Sequence, residues 1–253
     1  IAMDDPSQPG LWRPHNANNQ FAGPTRLKVG LTSSRNLVSI RVLNDIGIDY
    51  AIDFVSRFGF HKENLPKTLS LALGTLTVSP LDLAAAYAVF ANNGYKVEPY
   101  LIDKILDIDG DVLLKATPTA VPSQIEADNA QQAVMPAPRV ISKEVAFLMN
   151  TALRGVVQNG TARQAKALGR TDIAGKTGTT NNKLDAWFAG YYPNLVVTAW
   201  VGYDNPISLY EYASQVTLPL WIDFMRGALK DKPERPLEPP ETVVIKKINP
   251  NTG

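Results

Sequence analysis

The sequence predicts an α+β fold in which an antiparallel sheet is flanked by helices. Three strand-like runs, 172–180, 186–192 and 195–203, follow one another in the second half and are separated by short turns. Helical periodicity dominates the first half, and a last apolar-periodic segment, 217–229, follows the strands. Because the strands are consecutive rather than separated by helices, they predict an antiparallel meander and not a βαβ arrangement.

Start and stop signals define the individual helices. Asp49 is placed to cap a helix, and Ser79 followed by Pro80 is typical of the first positions of another. Asp109 and Gly110 form a turn signature that predicts a hairpin between runs 104–108 and 112–115. The expected helices of this region, each followed by a glycine, are 36–46, 50–58, 81–92 and one that starts at Ser142 and reaches 157.

The chain divides into one main unit and a tail. Residues 1–232 carry the periodic segments, interrupted at 116–140 by a stretch rich in Pro, Ala and Gln that has no periodicity. Such a composition predicts a mobile surface excursion. Residues 233–253 are proline-rich and predict a tail outside the main unit.

Composition excludes several classes of function. The net charge of +1 provides no strong positive field, so nucleic acid is not an expected partner. The chain has no cysteine, and its two histidines, His15 and His61, stand far apart without a partner nearby, so neither a metal site nor a histidine-based triad is expected. No apolar run approaches the roughly 20 residues that a membrane-spanning helix needs.

Gly175-Lys176-Thr177-Gly178-Thr179 is the sharpest local motif, and it lies within a predicted strand. Glycine weakens a strand unless another backbone has to approach closely, as when an extended peptide adds to a sheet edge. The lysine supplies a positive charge and the threonines supply hydroxyl donors, which together suit the carboxylate of a peptide. This interpretation requires an edge strand; the alternative is a strand end that runs into a polar turn.

Ser34-Arg35-Asn36 is a second candidate, at a polar break between two predicted helices. Serine or asparagine at such a break can simply cap the following helix, so the tripeptide alone carries little weight. Its position before Lys176-Thr177-Gly178 matters, because penicillin-binding proteins and class A β-lactamases carry Ser-x-x-Lys, a Ser-x-Asn type element and Lys-Thr-Gly in that order.

With these motifs, the sequence resembles the transpeptidase domain of class A, bifunctional penicillin-binding proteins, above all the 1a type of Gram-negative bacteria. The resemblance implies the fold shared by penicillin-binding proteins and serine β-lactamases, and it extends through most of the chain except 116–140 and the tail. The matching stretches are Trp12–Asn16, Ser34–Arg41, Leu71–Gly74, Ala86–Asn92, Gly160–Ala162, Ala174–Thr180 and Asp185–Tyr191.

The sequence departs from this family in one respect: it contains no Ser-x-x-Lys. In the family that motif precedes the Trp12 region, so we expect the nucleophilic serine and its base lysine upstream of Ile1. The domain is then incomplete at its N-terminus, and the chain alone is expected to be inactive. The resemblance also implies an upstream glycosyltransferase domain and a membrane-anchoring helix, which place the parent protein at the periplasmic face of the bacterial inner membrane.

The resemblance assigns roles to the motif residues without any cofactor or metal. Ser34 relays a proton to the leaving group, Asn36 binds the amide of the peptide, and Lys176 holds Ser34 and attracts the substrate carboxylate. Thr177 and Thr179 bind that carboxylate, and the Thr179 N–H forms half of an oxyanion hole. Gly178 leaves room for the substrate backbone. The implied partners are peptidoglycan stem peptides and β-lactam antibiotics.

Three alternatives stay open at the level of sequence. A β-lactamase or D,D-carboxypeptidase of the same fold differs only in whether water reaches the acyl-enzyme. A non-catalytic module that kept the ligand-binding strand differs in having no Ser-x-x-Lys in the parent protein. An unrelated α+β domain would require seven ordered matches by coincidence. Trp187 and Tyr191, next to the motif strand, are expected to be core packing.

Overall fold

A three-stranded antiparallel sheet with helices on both faces organises the computed structural model, which describes residues 2–4, 10–122, 134–235, 237–246 and 248–249. This α+β arrangement and its meander, in the order β7-β8-β9, confirm the predicted fold class. The helices are α1 Leu27–Thr32, α2 Asn36–Ile46, α3 Ile48–Val55, α4 Pro80–Ala91, α5 Lys143–Asn159 and α6 Thr217–Ala228. The strands are β1 Met3–Asp4, β2 Leu11–Trp12, β3 Lys104–Leu106, β4 Val112–Lys115, β5 Thr119–Ala120, β6 Met135–Pro136, β7 Ala174–Thr179, β8 Asp185–Tyr192 and β9 Leu195–Gly202.

The sheet separates two apolar layers, because side chains alternate between its faces. On one face Phe188 packs at 4.9 Å, ring centre to ring centre, against Trp221 of α6, with Val156 of α5 in the same core cluster. On the other face Tyr191 is buried against Leu153 of α5 and Tyr87 of α4. The strand β7 pairs with β8 alone among the described strands, so its other side has no strand partner there.

Helix starts follow the predicted caps where a polar side chain is available. Ser79 accepts from the Asp82 backbone N–H while Asp82 accepts from the Ser79 N–H, a capping box with proline at the first helical position. Ser142 caps α5 through Val145 N–H. The predicted start of α3 was wrong by two residues, because the helix begins at Ile48 after Gly47. Asp49 therefore lies inside the first turn, where its negative charge interacts favourably with the helix dipole, and it does not cap the helix.

The flanks of the predicted excursion pair with each other, and the start of the predicted tail contacts the main unit. Thr119–Ala120 pairs in parallel with Met135–Pro136, so both flanks of 116–140 are ordered, and residues 123–133 lie outside the described part. At the start of the tail, Arg170 donates to Lys232 O and Pro233 O, and Glu234 accepts from Thr171. The boundaries 1–232 and 233–253 remain predictions. Within the described residues, no helix has the length and apolarity that a membrane crossing requires.

Candidate active site

Ser34 occupies the corner between α1 and α2 in a left-handed backbone conformation, with φ of +51°. The Ser34 N–H donates to Leu31 O (3.1 Å) and the Arg35 N–H to Gly30 O (2.8 Å), which is the Schellman pattern that ends many helices. Glycine is usual at this position because a side chain there is strained. The N-cap residue of α2 is Arg35, without any side-chain cap, so the capping explanation for Ser34 and Asn36 was wrong.

The motif strand β7 is an edge strand over the described residues, as the functional interpretation required. Lys176 lies opposite Ala189 and Thr177 opposite Phe188, so their side chains leave opposite faces of the sheet. The two glycines of the strand differ in the space around them. A Cβ on Gly175 would lie 2.7–2.8 Å from Phe188 and the β8 backbone, whereas a Cβ on Gly178 would make an ordinary van der Waals contact at 3.4 Å with the Trp187 side chain. Packing therefore requires Gly175, and Gly178 leaves the strand's rim open.

Lys176 joins the two motifs. Its Nζ donates to Ser34 Oγ at 2.8 Å and to Thr177 O at 2.9 Å, across 142 residues of sequence in the first case. Burial lowers the pKa of Lys176 from its ordinary 10.5 to about 8, so the side chain is still a cation at neutral pH. No carboxylate lies within salt-bridge distance of it in the described part of the chain, which leaves this partly buried charge available to an anionic ligand.

The two threonines of β7 each receive support from another segment. Thr177 Oγ1 is 2.6 Å from Thr161 Oγ1, and Thr179 Oγ1 accepts from the Ala213 N–H at 3.0 Å. Neither contact was predicted. Gly160–Ala162 was identified only by its resemblance to the family. Local sequence gives no signal for contacts between residues that are 16 positions apart, as Thr161 and Thr177 are, or 34 apart, as Thr179 and Ala213 are.

The segment around Trp12–Asn16 holds the start of α2. Asn16 Oδ1 accepts from the Leu37 N–H (3.2 Å), and the Asn36 side-chain amide donates to His15 O (3.0 Å). Asn36 Oδ1 has no hydrogen-bond partner among the described residues, so it can accept from a ligand N–H. His15 and His61 are both exposed.

A cavity of about 760 Å³ lies beside the motif strand, with residues 176–180 along one wall. The rest of its lining is largely apolar and comes mainly from α2, α3, the segment 71–78, α4 and the strands, and includes Leu43, Leu71, Tyr87, Trp187 and Trp200. Trp187 thus lines the cavity, against expectation, whereas Tyr191 is core packing with 2% of its surface exposed. No group of His, Cys, Asp or Glu side chains suited to a metal ion occurs in the described ranges.

Comparison with known proteins decides the family. Residues 3–220 match the family model described as the penicillin binding protein transpeptidase domain. The chain belongs to this family. A relative named penicillin-binding protein 1A from Pseudomonas aeruginosa is 44% identical over 278 aligned residues, covering 96% of this chain and 34% of that protein. Another of that name, from Neisseria meningitidis serogroup A, is 44% identical over 92% of this chain and 28% of its own length.

Solved structures agree with the membership of this penicillin-binding family. The chain superposes on penicillin-binding protein 1A from Haemophilus influenzae with a TM-score of 0.87 and 37% identity, covering 98% of this chain and 41% of that one. The PonA1 protein from Mycobacterium tuberculosis in complex with penicillin V gives a TM-score of 0.70 at 23% identity, over 90% of this chain and 62% of that one, a likeness of fold alone. The chain spans about a third of the length of the curated relatives it matches.

Proposed function

We propose that this chain forms the ligand-binding wall of a D,D-transpeptidase that cross-links peptidoglycan stem peptides and is acylated by β-lactams. One observation carries the proposal: the partly buried Lys176 ammonium lies 2.8 Å from Ser34 Oγ on an edge strand and has no carboxylate partner in the described chain. A partly buried cation without a counter-ion favours an anionic ligand, and an edge strand can pair with an extended peptide. The family membership supports the same reaction.

The substrate carboxylate binds at the β7 rim in this proposal. Lys176 supplies the charge, and the hydroxyls of Thr177 and Thr179 donate hydrogen bonds, which are stronger when the acceptor is ionised. Gly178 leaves room for the peptide backbone, and Asn36 Oδ1 accepts from the amide of the bound peptide. The carboxylate and the backbone amide of the ligand are then bound at the same time. A stem peptide carries both groups, and a β-lactam carries a similar carboxylate and amide.

The chemistry is acyl transfer to a serine and then to an amine. The serine Oγ attacks the carbonyl of the penultimate D-alanine while its base lysine takes the proton, and the bond to the terminal D-alanine nitrogen breaks. Ser34 passes a proton to that leaving amine, and Lys176 holds the Ser34 hydroxyl in place. The Thr179 N–H supplies half of the oxyanion hole, a contribution of about 3 kcal/mol in the transition state. The amine of a second stem peptide then attacks the ester, and the serine recovers its proton.

We assign the nucleophilic serine and its base to a Ser-x-x-Lys segment upstream of Ile1, since the printed sequence contains none. The largely apolar cavity beside Lys176 suits a helix that carries this segment, and the outer edge of β9 has no pairing strand in the described residues and can pair with another. By this assignment the chain alone is inactive. The longer protein also carries the glycosyltransferase domain and the anchor that place it at the periplasmic face of the inner membrane.

The test uses the longer protein with the Ser-x-x-Lys segment and measures second-order acylation by a fluorescent penicillin. Lys176→Met removes the charge that attracts the carboxylate, so we expect acylation to fall at least about 100-fold, or about 2.7 kcal/mol of barrier. Lys166→Met, at an exposed position of the short helix Arg163–Leu168, is the control and keeps the wild-type rate. Unchanged acylation in Lys176→Met would refute the proposed site. Slow release of the acyl group distinguishes the transpeptidase from a β-lactamase.

A further inference from the structure

The Gly160–Thr161 segment, which directly follows α5, touches both elements that carry the candidate site. The Thr161 hydroxyl lies 2.6 Å from the Thr177 hydroxyl on β7. On the other side, the Thr161 N–H donates to Thr32 O at 3.4 Å, two residues before Ser34. A Cβ on Gly160 would come within 2.3 Å of the same Thr32 O, so the segment packs tightly against the end of α1. It therefore fixes both the α1 end and the motif strand.

The two threonines of β7 can be compared directly, because each has a partner behind it. A peptide N–H can only donate, so Thr179 Oγ1 must be the acceptor from Ala213, and its own O–H hydrogen is free for the ligand. Between Thr161 and Thr177 either hydroxyl can donate. If Thr177 donated to Thr161, it would have no hydrogen left for a carboxylate.

We propose that Thr161 is a positioning residue: its hydroxyl donates to Thr177 Oγ1 and so directs the Thr177 O–H hydrogen to the ligand carboxylate. This rests on the proposed function, in which Thr177 binds that carboxylate. The Thr161 hydroxyl has no other hydrogen-bond partner in the described chain, so its single hydrogen is available for this bond. Both side chains are β-branched and restricted in χ1, which keeps the two oxygens facing each other. In this arrangement Thr177 and Thr179 are both acceptors towards the protein and both donors towards the ligand.

The test is again made in the longer protein, with benzylpenicillin as the ligand. Thr161→Val keeps the shape of the side chain and loses the hydroxyl, and we expect second-order acylation to fall about 10-fold, mainly through weaker binding before the bond forms. Thr161→Ser restores the hydroxyl and should recover the wild-type rate. Thr151→Val, within α5, is the control: among the described residues its hydroxyl bonds to Phe147 O alone, so the change leaves acylation unchanged.

Two further measurements separate positioning from a general packing role. In a Thr177→Val background the Thr161→Val change should add less than a twofold loss, because the two residues act through one hydroxyl. With the methyl ester of benzylpenicillin, which has no carboxylate, wild type and Thr161→Val should react at equal rates. An equal loss with ester and acid, a full additional loss in the Thr177→Val background, or no loss in Thr161→Val would overturn the inference. A wild-type protein that is not acylated at all would instead overturn the proposed function.

Discussion

Ser34 holds a strained conformation at the residue where the candidate site depends on a hydroxyl. Its φ of +51° occurs at a helix end that glycine would occupy more easily. Serine occupies this position in place of glycine because its Oγ accepts a hydrogen bond from Lys176 Nζ at 2.8 Å. Strain of this kind concentrates at functional sites, where the surrounding structure maintains it.

The strain at Ser34 can be measured with two variants of this chain that both lack the hydroxyl. Only the β-carbon differs between Ser34→Ala and Ser34→Gly, so the difference in their free energies of unfolding isolates the left-handed conformation. We expect Ser34→Gly to be more stable than Ser34→Ala by about 1 kcal/mol in urea denaturation, since glycine adopts positive φ without steric cost. Equal stabilities would show that Ser34 relaxes out of this conformation.

Lys176 makes stability depend on pH in a predictable direction. Its pKa is about 8 in the folded chain and 10.5 ordinarily, so between these values the unfolded state binds more protons. The free energy of unfolding should therefore rise with pH from about 8 towards 10, and fall again above 10 because burial raises the pKa of Tyr87 to about 12. Urea titrations between pH 7.5 and 9.5 should show the rise in wild type and a flatter profile in Lys176→Met. A fall with pH over that window would contradict the lowered pKa of Lys176.

At the scale of elements, the sequence predicted most where local chemistry decides the structure. Helix α2 ends at Gly47 and α4 starts at the Ser79 capping box, both as expected, because caps are short-range signals. The start of α3 was missed because Asp49 is as favourable inside the first turn as before it. The strand meander followed from its turns and alternation.

The candidate site was predictable only in part. The order of Ser34-Arg35-Asn36 and Lys176-Thr177-Gly178 indicated their joint role, and the structure brings Ser34 and Lys176 together. The contacts of Thr161 with Thr177 and of Ala213 with Thr179 depend on how α5 and the loop before α6 pack on the sheet. Periodicity and caps carry no information about such long-range packing, which explains why these contacts were missed.

The end of α5 offers a test of that packing. A methyl group on Gly160 would lie 2.3 Å from Thr32 O, so Gly160→Ala must push the α5 end away from α1. We expect the free energy of unfolding of this chain to fall by about 1–3 kcal/mol, as for other overpacked sites. Gly227→Ala, in α6 with open space around the added Cβ, should be neutral or stabilise by up to about 1 kcal/mol. The same loss in both variants would show that the loss does not come from the Thr32 contact.

At the scale of the whole molecule, the proposal places one wall of the site on this chain and the reacting serine in the longer protein. The proposed carboxylate-binding rim, the Lys176–Ser34 pair and the supporting contacts all come from residues of this chain. The apolar cavity of about 760 Å³ beside them is where we place the segment that carries the nucleophile. Benzylpenicillin is therefore expected to modify that segment and not this chain.

The most direct test is the intact mass of this chain and of the longer protein after treatment with benzylpenicillin, measured side by side. We expect one penicilloyl adduct on the longer protein, on the serine of its Ser-x-x-Lys segment, and none on this chain. An adduct on this chain would contradict the assignment of the nucleophile and would point to Ser34. The absence of an adduct on both would contradict the transpeptidase account and favour a module that binds its ligand without chemistry.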